Sequence, residues 1–209
     1  MNIRWDIKQG TEEWILVRSQ FLSASVFTEL VTPTGKASKG KKVTDLENKM
    51  IAQIVSGKPI ESQGQSFAMR RGHELEPEAR SYYEFATGNT VVECGLVEAT
   101  KISCSPDGLI MSGESIRKGL EIKCPFAHTH VGYVRAGIVP PEYMPQVQGS
   151  MMVCGVDEWD FMSYHPDFED LTITVKRDDE WIDNFKLILE PFLRQVDIGV
   201  LELTKKAEK

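Results

Sequence analysis

The chain has 209 residues, 41% hydrophobic and 26% charged, ordinary for a globular domain and long enough for one well-buried core. No apolar run approaches the ~20 residues a membrane helix needs, and the opening MNIRWDIKQG lacks a signal-peptide core, so a cytoplasmic protein is expected. The formal net charge of −7 argues against a generally basic nucleic-acid binder, but it leaves room for a nuclease whose clustered carboxylates hold metal ions.

In chain order, TEEWILVRSQF predicts a helix capped by Thr11, with Glu12 and Glu13 in the first turn where the helix dipole favours negative charge. SASVFTELV predicts a second helix whose start, at Ser23 or Ser25, offers free N–H groups to an anion. TGKASKGKKVTD, residues 34–45, gathers Lys36, Lys39, Lys41 and Lys42. It reads as a solvated loop or, beside an active site, as a loop that tracks DNA phosphates. VTDLENKMIAQIVSG is amphipathic, with Leu46, Met50, Ile51, Ile54 and Val55 as its apolar stripe and Gly57 and Pro59 ending it. QSFAMRRGHELEPEARSYYEFATG is helical up to a Gly88 cap.

Strands follow at TVVECGLVEA, ISCSPDGLIM and GLEIKCPF, then a helix at PPEYMPQVQGSMMVCG. Strands at EWDFMSYHP and LTITVKR precede a long closing helix in which Trp181, Phe185 and Leu189 are core or interface positions, core being the preferred reading. This order predicts a single α/β domain over 1–209, a mixed β-sheet flanked by helices. Cys94, Cys104, Cys124 and Cys154 are far apart with no CxxC pair, which favours reduced thiols over a disulfide framework or zinc site.

The chemistry concentrates in CSPDGLIMSGESIRKGLEIKCP. A turn at Ser112-Gly113-Glu114 folds the strands back on each other, so Asp107 and Glu121 can stand side by side although fourteen residues apart. Strand alternation puts Glu121 and Lys123 on one face and Leu120, Ile122 and Cys124 on the other. Two adjacent carboxylates repel unless a cation lies between them, and hard oxygen ligands favour Mg²⁺ or Mn²⁺ over zinc. Pro106-Asp107 followed by Glu121-Ile122-Lys123 matches the PD-(D/E)xK nuclease signature.

RRGHELEPEAR, CSPDGL, GLEIKCPF and YMPQVQGSM together resemble the phage lambda-type exonucleases, the alkaline exonuclease or YqaJ-like recombinase group. The likeness runs from about Trp14 to the final helix. It implies a restriction-endonuclease-like core and processive Mg²⁺-dependent 5′→3′ digestion of double-stranded DNA with 5′-phosphorylated ends. Two ions, with Mn²⁺ as a substitute, would serve release of 5′-mononucleotides. It further implies a ring-shaped homotrimer of phage or prophage origin that leaves 3′ overhangs for a single-strand annealing protein.

By matching motif, the resemblance makes Asp107, Glu121, the Ile122 carbonyl and Glu76 metal ligands, and has Lys123 act on the attacking water. Gln146 would touch the scissile phosphate, Arg18, Ser25 and Ser105 would receive the 5′-phosphate, and Met69 would be a wedge between base pairs. Gln148 is read as a structural residue and His73 as a surface one. Two alternatives are weighed. A Cas4- or RecB-like nuclease would carry clustered cysteines near the C-terminus, whereas the last here is Cys154. A non-catalytic DNA-end-binding module would have no need to keep Asp107, Glu121, Lys123 and Gln146 together.

Overall fold

Thr11 caps the first helix as its position predicts: its hydroxyl accepts the Trp14 N–H at 3.2 Å, with Glu12 and Glu13 in the turn above it. The computed structural model describes residues 1–60 and 67–207. Helix α1 (Glu12–Arg18) leads not into a second α-helix but into a two-residue strand and a 3-10 helix, Ala24–Glu29. Packing overrides propensity here: Phe27 is fully buried, and its ring lies where a Cβ on Gly149 would fall, 2.2 Å away.

Helix α2 (Lys41–Ser56) begins earlier than expected, so the basic loop ends at Gly40 and Lys41 and Lys42 form the first helical turn. Leu46, Met50 and Ile51 are buried as the stripe requires, but Val55 is exposed. Gln53 is buried instead, because its amide reaches the Ser19 carbonyl at 2.9 Å. Gly57, in the left-handed region at φ 64°, ends the helix. Helix α3 (Phe67–Thr87) follows and stops at Gly88, while the expected start at Gln65–Ser66 lies outside the described residues.

The predicted mixed sheet comes in two four-stranded parts. One has β1 (Asn2–Arg4), β2 (Leu22–Ser23), β3 (Leu96–Glu98) and β4 (Ile102–Cys104), in the order β1-β3-β4-β2. The other has β5 (Gly108–Ser112), β6 (Ser115–Lys123), β7 (Glu158–Ser163) and β8 (Leu171–Lys176), in sequence order. Each contains one parallel pair, β2 with β4 and β6 with β7. ISCSPDGLIM, read as one strand, is therefore divided between the two sheets. Pro106, which has no N–H to give a ladder, lies at the division. The β5–β6 hairpin turns on Gly113-Glu114, with Gly113 at φ 60° and a register shift between Ile110 and Met111.

Helix α4 (Ala127–Ala136) is a helix that the sequence reading passed over. Helix α5 (Met144–Cys154) is entered through a 3-10 turn at Pro141–Tyr143, and α6 (Asp179–Ala207) closes the chain. The second sheet is buried on both faces. Trp159 and Phe161 join the main core with Val147 and Met151 of α5 and Ile182 and Phe185 of α6. Ile110, Leu120, Ile122 and Met162 pack beneath Ala79 and Tyr83 of α3. Trp181, Phe185 and Leu189 are core, as expected.

Candidate active site

Strand β6 brings Glu121 and Lys123 to the same face, where the Lys123 ammonium donates directly to Glu121 Oε1. Glu121 is only 3% exposed. From α5, the Gln146 amide donates to the same Oε1 at 2.7 Å. Asp107, just ahead of β5, is tied to β6 twice: its N–H donates to the Leu120 carbonyl at 3.0 Å, and its Oδ2 accepts the Ile122 N–H at 2.6 Å. Backbone groups of β6 thus set Asp107, while the side chains of Lys123 and Gln146 hold Glu121.

Helix α3 supplies Glu76. Arg80, one turn on, donates to Glu76 Oε1 at 2.5 Å, to Glu93 at 2.9 Å and to the Asp107 carbonyl at 3.0 Å. It therefore clamps the helix-borne acid to the hairpin. Burial, with Glu121 and Glu76 nearby, pushes the Asp107 carboxyl well above its ordinary range, against the pull of Lys123 and the Ile122 N–H. Glu76 is raised for similar reasons, burial first, with Arg80 and His73 opposing and Glu93 and Glu121 adding. Burial acts to lower the Lys123 ammonium, but Glu121 and Asp107 more than offset it and keep it protonated. The Lys123 ammonium also lies 5.1 Å from the centre of the Tyr143 ring.

A second polar group lies where α1 meets β2 and β4. Arg18 Nη2 donates to Ser25 Oγ at 2.6 Å and to Ser23 Oγ at 3.1 Å, with its guanidinium over the Trp14 ring. Ser23 and Ser103 face each other across the β2–β4 pair. Arg18 Nε and the hydroxyls of Ser103 and Ser105 are buried with no hydrogen-bond partner. Such groups are costly unless a ligand satisfies them.

The other expected positions fall outside these clusters. Met69 is exposed near the start of α3, seven residues before Glu76 and so on the same helical face. Lys36 and Lys39 are in the loop before α2, and Lys42 donates to the Thr28 carbonyl at 3.3 Å. Among the described residues, none of the four lysines pairs with the acids. Gln148 is structural as read, bonding the Lys176 carbonyl and the Asp178 N–H at 2.9 and 3.0 Å. His73 is exposed, 3.9 Å from Glu76. The four cysteines are free and buried, and burial pushes the Cys94 and Cys124 thiols up to about 12.

Residues 13–157 match the family model of the YqaJ-like viral recombinase domain. The chain belongs to that family. This YqaJ-like domain is similar to the crystal structure of an alkaline exonuclease from Laribacter hongkongensis, at 30% identity and TM-score 0.82, over 95% of this chain and 98% of that one. The same enzyme in complex with dAMP matches equally well. A phage-related exonuclease from Haemophilus somnus 129PT shares the fold at 17% identity and TM-score 0.63, over 88% of this chain and 96% of that one. No curated protein matches the sequence.

Two residues of the YqaJ-like domain's two clusters, Arg80 and Ser103, escaped the sequence reading. Arg80 stands four residues from Glu76, a spacing that pairs opposite charges on a helix and was visible in GHELEPEAR. Ser23, read with Ser25 as a helix start open to an anion, caps nothing with its hydroxyl and instead meets Arg18. Ser103 is two residues before Ser105, an alternation that hinted at a shared face.

Proposed function

We propose that this YqaJ-like domain is a Mg²⁺-dependent exonuclease that digests one strand of double-stranded DNA from a 5′-phosphorylated end. The observation that carries the reading is the convergence of Asp107, Glu121, Lys123 and Gln146 on one end of β6, with Glu76 clamped beside them by Arg80. Like charges are crowded there at a cost that a bound cation would reverse. The Laribacter exonuclease, covered nearly end to end by this chain, supports the same class of activity.

The donor set fits a hard divalent ion. Asp107, Glu121 and Glu76 offer carboxylate oxygens and Ile122 a carbonyl, with no thiolate or imidazole among them. Among the described residues no three acidic, His or Cys side chains close into a ready-made cage. That suits Mg²⁺, which keeps waters and takes one or two carboxylates plus substrate phosphates, and Mn²⁺ would substitute. When bound, the two ions would lower the pKa of water and offset charge on the phosphate being cleaved.

The chain's own groups do the positioning. Lys123 and Gln146 hold Glu121 between them, and both are donors within reach of an incoming phosphate oxygen or water. Arg18, Ser25, Ser105 and the unpartnered Ser103 would accept the terminal 5′-phosphate, giving the enzyme its polarity. Met69 would press on the terminal base pairs, and the lysines of residues 36–42 would follow the DNA backbone. A homotrimeric ring accounts for processivity, and the 3′ strand left behind would pass to an annealing protein.

Linear duplex labelled separately at each 5′ and 3′ terminus, incubated with and without Mg²⁺ beside Asp107→Ala, tests the reading. Metal-dependent loss of label from 5′ ends, absent in the variant, is the expected result. Wild-type protein that binds ends without digesting them would instead make the domain a non-catalytic end-binding module.

A further inference from the structure

An exposed row of parallel rings lies where β6 ends and α3 begins, on the elements that carry Glu121 and Glu76. Phe67 stacks on Phe126 with centroids 5.8 Å apart and planes within 5°, and Phe126 stacks on His128 at 6.3 Å and 7°. The Arg70 guanidinium sits 5.6 Å from the centre of the Phe67 ring. Phe67 is 66% exposed and Phe126 38%. Rings buried only for core packing are not arranged like this. Two exposed phenylalanines forgo most of the burial that ordinarily justifies the residue.

The row's place in the chain is as telling as its geometry. Phe126 is three residues beyond Lys123, at the end of β6, and serves as the N-terminal cap residue of α4. Phe67 opens α3, the helix that carries Glu76. The platform therefore spans the two elements that deliver the acids. Positive charge accompanies it in an acidic protein: Arg70 lies over the first ring, and Arg71 follows, its Nε buried without a hydrogen-bond partner. Coplanar aromatic faces with a guanidinium at one end suit a nucleobase, whose flat π-surface stacks regardless of sequence while the cation meets the backbone.

We propose that Phe67, Phe126 and His128, with Arg70, form a stacking platform for unpaired bases of a DNA end, next to the site of hydrolysis. The inference rests on the exonuclease reading, in that it takes the ligand to be a DNA end. It differs from the role given to Met69: a wedge parts base pairs, whereas this row receives bases already parted. It also gives an acidic protein a hold on a frayed end that does not depend on its charge, since stacking is not weakened by net negative charge.

The test is binding of a 5′-phosphorylated duplex whose two terminal nucleotides are mismatched and carry 2-aminopurine, with Ca²⁺ in place of Mg²⁺, against the same duplex made abasic at those positions. Wild type should quench the 2-aminopurine and prefer the base-bearing end. Phe67→Ala and Phe126→Ala should each weaken that binding roughly tenfold and relieve the quenching, yet leave abasic ends bound as before. Phe67→Tyr and Phe126→Tyr, which keep the ring, should restore both.

Equal binding of base-bearing and abasic ends by wild type overturns the platform, and so does quenching untouched by either alanine variant. A change of oligomeric state in the variants without loss of base dependence would assign the row to contact between copies, and also overturns it. Mg²⁺-dependent digestion of blunt duplex by wild type is scored separately. Digestion without base dependence removes the platform alone. Base-dependent quenching without digestion removes the nuclease reading alone.

Discussion

The Asp107 carboxylate accepts the Ile122 N–H, yet burial and the neighbouring Glu121 and Glu76 raise its pKa well above the ordinary value. A folded-state acid with a raised pKa releases its proton later than the unfolded chain does. Between the ordinary value near 4 and the raised one the folded state holds more protons, so stability falls as pH rises through that window. Asp107→Asn should therefore raise the melting temperature of the metal-free protein at neutral pH and flatten its decline with pH. It should also remove the stabilisation that Mg²⁺ gives wild type, a contrast read by thermal melts with Mg²⁺ or EDTA. At the other cluster, Arg18→Ala should erase any preference for 5′-phosphate over 5′-hydroxyl ends, measured as the ratio of digestion rates on the two. An unchanged ratio would mean the terminal phosphate binds elsewhere.

At the scale of elements, what fixes α3 to the second sheet also fixes Glu76. Asp160 of β7, 2% exposed, receives the Lys118 ammonium and the Tyr83 hydroxyl and accepts Thr174 Oγ at 2.6 Å. Burial alone would raise Asp160, but Lys118, Thr174 and Tyr83 hold it below the usual carboxylate range. Its contribution is thus present at neutral pH and lost as pH falls through that lowered pKa. Asp160→Ala leaves Lys118 charged and unpaired in the interior, and should destabilise by about 3–5 kcal/mol in urea denaturation. Replacing Lys118 with Met in the same molecule should recover much of that loss. None of this network was legible in the sequence, because Asp160, Tyr83 and Lys118 come from three elements and show no local pattern. Glu121 and Lys123, by contrast, were legible from a two-residue spacing, and the hairpin that carries them from its turn residues.

For the molecule as a whole, the order of the longer helices and strands was readable from periodicity apart from α4, and the two-part sheet was not. Strands β1 and β2 are three and two residues long, below the length at which alternation can be seen, and they exist because β3 and β4 offer them edges. Pro106 was visible, but whether a proline interrupts a strand or joins two sheets depends on what packs on either side. That joint has a consequence in time. Ser105-Pro106-Asp107 is the span between the sheets: the serine hydroxyl is buried without a hydrogen-bond partner just after β4, and the aspartate is bonded to β6. Asp107 and Ser105 are two residues apart on one short tether, so their spacing is set by the chain's covalent length, not by docking of separate parts. On the proposed reading, a chain with only one of the two sheets in place would hold half of a site and would leave the DNA around it uncut.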